Sequence, residues 1–156
     1  MDKVFDRTLS FTREDNKKNI PIPFFVPEGV QALRICFSYS PKLPDDREEQ
    51  LRLAEENIHR DAPGHWGDEY EAQSYLPLKN LLTLSLDDPF GYRGAAHRQV
   101  PEQEHWIRED SASPGFLPGK LPEGSYRLTV SVHALVTETC EAQLLVEAVK
   151  RGEDDV

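Results

Sequence analysis

A repeated alternation of apolar and polar residues with a period of two is the feature of this sequence that most constrains its fold. Between residues 30 and 39, one side carries Leu33, Ile35, Phe37 and Tyr39, and residues 126–134 alternate in the same way. Period two is typical of a strand with one buried face. Shorter or weaker runs of this kind occupy residues 4–11, 82–86, 105–108 and 142–148. Because strands do not alternate with helices, we predict an all-β fold, an antiparallel β-sandwich of the jelly-roll kind.

Prolines and glycines mark the boundaries of these strands. Residues 20–26 carry Pro21 and Pro23, which remove two donors from a β-ladder, so we predict an edge strand or an extended entry there. Residues 113–124 contain too much Pro and Gly for a helix or a strand, which predicts an ordered loop. The pattern as a whole predicts one domain over residues 1–149, followed by an acidic tail.

An acidic insertion interrupts the strands at about residues 41–77. Within it, ten Asp and Glu residues outnumber four Lys and Arg residues. Pro44 followed by Asp45 and Asp46 is typical of a helix start, where acids lie near the positive end of the helix dipole. We predict a short surface helix at about residues 45–60, followed by a loop.

Charge and hydropathy exclude several classes of partner. The 18 Lys and Arg residues against 28 Asp and Glu residues give a net charge of -10, which disfavours nucleic acid and anionic lipid. No apolar run is long enough to span a bilayer, and the first residues lack the apolar segment of a signal peptide. We therefore expect a cytoplasmic protein, with Cys36 and Cys140 as reduced thiols.

Five side chains of metal-binding type lie close together in the insertion, namely His59, Asp61, His65, Asp68 and Glu69. Their spacing matches neither the i, i+4 pair of a metal-binding helix nor a His-x-His pair on a strand. We favour ordinary surface residues over a weak metal site, and we expect no cofactor. The sequence also contains no Gly-x-Ser-x-Gly nucleophile motif and no phosphate-binding glycine motif.

The segment 87–98 is the strongest candidate binding loop, because it places charged and titratable side chains among glycines. These side chains are Asp87, Asp88, Arg93, His97 and Arg98. One interpretation is recognition, in which Arg93 offers its planar fork to a carboxylate or phosphate. The other is a structural clamp, in which Arg93 pairs with Asp87 or Asp88 and fixes the loop. We favour the clamp.

Three stretches share the order and character of a known region. They are Phe-Val-Pro-Glu-Gly-Val at 25–30, Leu-Asp-Asp-Pro-Phe-Gly-Tyr-Arg-Gly at 86–94, and Ser-Pro-Gly-Phe-Leu-Pro-Gly at 113–119 followed by the strand from 124. In this order the chain resembles the β-rich N-terminal region that precedes the PHP-type metal-dependent hydrolase domain in CehA/McbA-like proteins. The resemblance implies an accessory domain without the hydrolase active site.

Two hypotheses on function follow. The first is a non-catalytic accessory or binding module that contacts a protein partner, such as a metal-dependent hydrolase, or a small ligand through the loops 87–98 and 113–122. The alternative is a small metal-dependent hydrolase that uses His97, Asp88 and either His59 or His65. Distance separates these hypotheses, because ligands more than roughly 10 Å apart cannot share one metal with bonds of about 2.0 to 2.2 Å.

Overall fold

The computed structural model of the chain describes residues 1–42, 48, 51–52, 54–56, 79–97 and 100–152. Within these residues there are eight strands, a 3₁₀ turn at Arg13–Asp15 and a few helical residues near position 50. The strands are β1 (Asp2–Thr12), β2 (Asn19–Val26), β3 (Val30–Ser40), β4 (Leu81–Asp88), β5 (Gly91–Ala96), β6 (Glu102–Arg108), β7 (Gly124–Ala134) and β8 (Thr139–Lys150).

The strands pair in a nested pattern. β1 pairs with β8, β2 with β7, β3 with β6 and β4 with β5, all of them antiparallel. This is one long hairpin, which has rolled up so that β3 also pairs with β8 and β4 with β7. The first sheet has the order β1-β8-β3-β6, and the second sheet has the order β2-β7-β4-β5. This topology is a jelly roll, which confirms the predicted fold class.

The core lies between the inner faces of the two sheets. The alternation predicted for β3 is confirmed, since its four inward residues Leu33, Ile35, Phe37 and Tyr39 are at most 4% exposed. From the second sheet, β4 and β7 contribute Leu82, Leu84, Leu86, Tyr126, Leu128, Val130 and Val132. Burying one large apolar side chain stabilises the fold by roughly 1.5 to 3 kcal/mol, so these facing rows hold the sheets together.

The proline-containing strand β2 lies at an edge of its sheet, which is one of the two structures that its prolines predicted. It pairs with β7 on one side only, and its Ile22 and Phe24 face the core. Pro21 and Pro23 are exposed on the opposite face. An edge strand needs donors toward only one neighbour, which is why two prolines are compatible with pairing here.

The strand β5 corrects the sequence prediction, which treated all of residues 87–98 as a loop. Gly91–Ala96 pairs with β4, with a register shift between Ser85 and Asp87. The run Gly-Tyr-Arg-Gly-Ala-Ala has no alternation to indicate a strand, because backbone pairing and close backbone contacts determine its structure rather than apolar burial. Among the described residues of this segment, the turn at Pro89 and Phe90 and the residue His97 lie outside the strands.

The predicted helix and tail are described in part. Glu48, Leu51, Arg52 and residues 54–56 are helical, which agrees with the predicted helix at 45–60. The other residues of that prediction lie outside the described part of the chain. At the C-terminus, β8 includes Lys150, and the Arg151 N–H donates to the Gly29 carbonyl at 2.8 Å. Strand pairing and backbone hydrogen bonds therefore continue past residue 149, the predicted end of the domain. Residues 153–156 of the predicted tail lie outside the described residues.

Candidate functional site at the loop end

The fold distributes the predicted site residues over two ends of the sandwich. One end, called the loop end below, carries the β2–β3 turn, the β4–β5 turn and the β6–β7 loop. The other, called the insertion end, carries the β3–β4 insertion and the β5–β6 connection. Asp87, Asp88 and Arg93 lie at the loop end, whereas His97 follows β5 at the insertion end. Arg98 lies outside the described residues.

The buried side chain of Arg93 joins β5 to the β6–β7 loop through hydrogen bonds. Its side chain is 8% exposed, and its Nη1 donates to Asp88 Oδ2 at 2.9 Å. The same guanidinium donates to three carbonyl oxygens of the loop, those of Leu117 at 3.1 Å, Gly119 at 3.1 Å and Lys120 at 2.8 Å. A planar fork of five N–H donors is suited to such a set of acceptors. These contacts agree with the clamp interpretation.

Asp88 completes the clamp from the β4 side. While Oδ2 accepts from Arg93, Oδ1 accepts from the backbone N–H groups of Phe90 at 2.7 Å and Gly91 at 3.0 Å. An aspartate that bonds the backbone two residues ahead shapes an Asx turn. The Asp88 side chain is 8% exposed, so both of its oxygens are satisfied by protein groups away from water.

Glycines allow the loop backbone to lie directly against β5. Gly94 has φ +110°, and a Cβ atom there would overlap the carbonyl oxygen of Gly115. The adjacent Ala95 N–H donates to that same oxygen at 3.1 Å, and Leu117 N–H donates to the Arg93 carbonyl at 3.0 Å. The sequence signal for this contact is the pair of Gly-containing motifs, since only glycine tolerates both the dihedral angle and the close approach.

The same loop also binds the edge of the first sheet. Ser113 N–H donates to the Trp106 carbonyl at 2.8 Å, and Gly119 N–H donates to the Arg108 carbonyl at 3.0 Å. Between these contacts, Phe116 inserts into the core, with its ring centroid 5.0 Å from that of His105. The loop thus connects β6 of the first sheet to β5 of the second and covers the open side of the sandwich.

Most of the exposed large apolar side chains in the described part of the chain lie at the loop end. Besides Met1 before β1, these are Phe25, Phe90, Tyr92 and Leu117, and we call these four residues the apolar rim. Phe90 is 88% exposed at the tip of the β4–β5 turn. In register, Tyr92 lies opposite Asp87 on β4, and Phe25 lies opposite Ser125 on β7. The rim residues therefore lie on the two edge strands of the second sheet, β2 and β5, on the β4–β5 turn and on the β6–β7 loop.

Sequence reasoning missed the apolar rim, although signals for it were present. Phe90 lies in a turn between Pro89 and Gly91, where burial is not expected. Phe25 follows the inward-facing Phe24 on the same strand, so the period of two points it outward. The prediction relied on charged residues instead, and two of these, Asp88 and Arg93, are hydrogen-bonded within the protein.

The remaining predicted residues have different surroundings. Asp87 is on the outer face of the second sheet, where its Oδ2 accepts from Arg127 Nη2 at 3.3 Å. His97 is exposed at the insertion end. About five residues of strand separate it from the position opposite Asp88, and at about 3.3 Å per residue this places the two side chains about 15 to 20 Å apart. One metal ion cannot bind both His97 and Asp88 across that distance.

Metal-binding side chains do not gather elsewhere in the described residues. Among them, no three His, Cys, Asp or Glu side chains converge on one point. The candidates His59, Asp61, His65, Asp68 and Glu69 lie outside the described part of the chain. Cys36 and Cys140 are both free thiols, as predicted.

Comparison with known proteins adds no family to this description. No protein-family model matches the chain, and no curated protein matches it. In the described part of the chain, no helix combines the length and the apolar character needed to cross a bilayer. The resemblance to the accessory region of CehA/McbA-like proteins therefore rests on the three stretches of sequence given above.

Proposed function

We propose that this chain is a non-catalytic jelly-roll module that binds a partner protein through the apolar rim at its loop end. The observation that carries the proposal is that three of the four rim side chains, Phe90, Tyr92 and Leu117, lie on the two segments singled out by the sequence, 87–98 and 113–122. The resemblance to the accessory region of PHP-type proteins supports a metal-dependent hydrolase as that partner.

The hydrogen bonds that fix the backbone beneath the apolar rim support a binding role. Arg93 and Asp88 join the β4–β5 turn to the β6–β7 loop through buried hydrogen bonds, so Phe90, Tyr92 and Leu117 project from a fixed backbone. A rigid platform loses little conformational freedom on association, which raises affinity. Aromatic anchors on such a platform resemble the hot spots of protein interfaces.

The chemistry of the rim favours a protein over other partners. Phe90 projects outward instead of lining a cavity, so it fits a pocket on a partner better than it encloses a small ligand. The nearby Asp87 and Arg127 neutralise each other, and the net charge of -10 opposes binding to nucleic acid. Two free cysteines fit a reducing compartment, and we place the module in the cytoplasm on that basis.

The test measures binding by calorimetry to a purified PHP-type hydrolase encoded in the same genome. We expect the double substitution Phe90→Ser with Tyr92→Ser to weaken binding at least about tenfold, because truncating one interface hot spot costs about 2 kcal/mol or more. Since both side chains are exposed, the melting temperature should change little.

Val100→Ser is the matched control, because Val100 is also an exposed apolar residue but lies in the β5–β6 connection at the insertion end. It should bind the hydrolase as tightly as the parent chain does. Equal affinity of the parent and the rim variant would refute the rim as the contact surface. Failure of the parent itself to bind would refute the hydrolase as the partner.

A further inference from the structure

The four edge strands of the sandwich differ in how their outer edges are protected, and β1 has the least protection. β5 and β6 are bonded along their outer edges to the β6–β7 loop, through Ala95 and Arg108. β2 carries Pro21 and Pro23, which have no N–H to offer to a further strand. β1 has 11 residues and no proline, and in the described part of the chain the backbone of residues 2–11 bonds only to β8. An edge strand of this kind is a template for pairing with another strand.

The alternation along β1 determines which of its backbone groups face away from the sheet. The Thr12 N–H donates to Asp15 Oδ2 at 2.9 Å, so it is not directed at β8. Residues at even positions share this direction, because successive residues of an antiparallel strand bond alternately to the strands on its two sides. The N–H and C=O groups of Asp6, Thr8 and Ser10 therefore face the free edge.

The pairing on the other side of β8 gives the same assignment. The Tyr39 N–H donates to the Pro101 carbonyl on the β6 side of β3, so Tyr39 does not bond to Ala142, which lies opposite it on β8. Ala142 therefore bonds to β1, where it lies opposite Leu9. Because Leu9 and the other odd-numbered residues bond to β8, the even-numbered residues are left with donors and acceptors for a further strand.

The side of the sandwich formed by β1 and β2 also exposes part of the core. Val4, Phe5 and Ile20 are only partly buried, and the Phe5 ring packs on Phe24 of β2 with ring centroids 5.8 Å apart. On the opposite side of the sandwich, the β6–β7 loop covers the core and inserts Phe116. A strand added along β1 would remove more apolar surface from water, which favours association.

Charge favours a second copy of this chain as the occupant of the edge. Asp2, Lys3, Asp6 and Arg7 give β1 no net charge, although the chain carries -10. Two copies of an acidic chain repel each other, so they associate most easily where the surface of each is neutral. A second copy also provides its own β1, a strand of equal length with the same free N–H and C=O groups.

A symmetric pairing of β1 with itself has few acceptable registers. A centre of symmetry at Asp6 or Arg7 places a charged residue opposite the same residue of the other copy, which is destabilising. A centre at Leu9 uses Thr12, whose N–H is already bonded within the chain. Centres nearer either end of the strand pair fewer residues. The remaining centre is Thr8, an exposed residue in the middle of the strand.

We propose that the chain forms a twofold-symmetric dimer in which β1 pairs antiparallel with β1 of a second copy, centred on Thr8. Asp6 of each copy lies opposite Ser10 of the other, and the two Thr8 residues lie opposite each other. Each of these opposed pairs exchanges two N–H···O bonds, and the Ser10 hydroxyl can donate to the Asp6 carboxylate. The first sheets of the two copies become one continuous sheet. This interface does not include the apolar rim, so it does not depend on the proposed function.

Sedimentation equilibrium of the full chain measures its dimerisation over roughly 1 to 200 μM, the range in which an interface of one strand pair would dissociate. We expect the parent chain to dimerise in this range. Thr8→Pro should raise the dissociation constant at least about tenfold, because it removes the central N–H donor of both copies. Since the Thr8 N–H does not bond to β8, the circular dichroism spectrum of this variant should match that of the parent.

Two charged variants test the centre of symmetry with less risk to the fold, since the Thr8 side chain is exposed. Thr8→Asp and Thr8→Lys each place like charges opposite each other, so each alone should stay monomeric where the parent dimerises. An equimolar mixture of the two should form a heterodimer. Ser125→Asp is the matched control, because it adds the same charge to an exposed position of the second sheet and should dimerise as the parent does.

A parent chain that stays monomeric throughout this range would overturn the proposal, as would dimers that Thr8→Pro and the two charged variants leave unchanged. Loss of the dimer in the rim variant Phe90→Ser with Tyr92→Ser would assign the association to the loop end and overturn the β1 interface. Charged variants that fail to associate when mixed would overturn the register centred on Thr8.

Discussion

Replacing Arg93 tests whether the clamp at the loop end holds the fold together. In Arg93→Met the aliphatic bulk is kept, but the buried Asp88 carboxylate loses its counter-charge and three loop carbonyls lose their donor. Breaking a buried ion pair by removing one partner destabilises a protein by about 3 to 5 kcal/mol, because a buried charge is left uncompensated. We expect a loss in this range for the free energy of unfolding.

The chain provides a matched control in Arg127. This arginine also pairs with a neighbouring aspartate, Asp87 at 3.3 Å, but its side chain is 56% exposed. Exposed ion pairs contribute about 0 to 1 kcal/mol, so Arg127→Met should change stability by no more than this. Urea unfolding followed by circular dichroism measures both variants. In melting temperature, at about 2 to 4 °C per kcal/mol for a domain of this size, Arg93→Met should lose about 6 to 20 °C.

A double-mutant cycle separates the ion pair from the rest of the Arg93 network. Asp88→Asn keeps an oxygen for the N–H groups of Phe90 and Gly91 but removes the buried charge. The double variant Asp88→Asn with Arg93→Met should therefore be less destabilised than the sum of the two single variants, since contacting residues do not act additively. If Arg93→Met were no less stable than Arg127→Met, the clamp interpretation would be refuted.

Three further predictions concern the loop contact, the buried thiol and catalysis. Gly94→Ala should cost several kcal/mol in urea unfolding because its Cβ would overlap the facing loop backbone, whereas Gly29→Ala, with open space around it, should cost only about 1 kcal/mol of dihedral strain; similar losses would contradict the close contact. Burial raises the pKa of the Cys140 thiol to about 11, so the folded state binds more protons than the unfolded state above about pH 9. The free energy of unfolding should fall by about 2 to 3 kcal/mol between about pH 9 and 11 because of this group, and that of Cys140→Ala should fall less steeply over the same range. With Zn, Mn or Mg added, the purified protein should hydrolyse no generic phosphoester; metal-dependent turnover that His97→Ala abolishes would contradict the non-catalytic proposal.

The sequence predicted the strands well where the local alternation of apolar and polar residues indicates which side chains are buried. β3 and β7 alternate over ten or more residues, and each alternation marks one face against the core. β5 was missed because its pairing uses backbone groups and its side chains show no period. The sequence predicted that Arg93 pairs with an aspartate, but it did not distinguish Asp87 from Asp88. The strand period would have helped, because Asp87 shares the outward face of β4 with Ser85.

The candidate site depended on contacts that no local pattern records. The carbonyls that accept from Arg93 lie 24 to 27 residues further along the chain. Such neighbours are set by the register between distant strands, and a single sequence gives no periodic signal for register across long connections.

The nested hairpin explains why this chain accommodates a long acidic segment between β3 and β4. That segment lies inside the loops closed by three of the four nested strand pairs, and the cost of closing a loop grows only with the logarithm of its length. For the pair β3–β6, whose register runs to Ser38 opposite Glu102, deleting residues 43–78 would more than halve the enclosed loop and recover only about 0.7 kcal/mol of closure entropy. For the outermost pair β1–β8, the gain would be about 0.3 kcal/mol. Changes in the length of this segment therefore have little effect on the closure entropy of the outer strand pairs. The β4–β5 hairpin does not enclose the segment, so its closure entropy does not depend on the length of the segment.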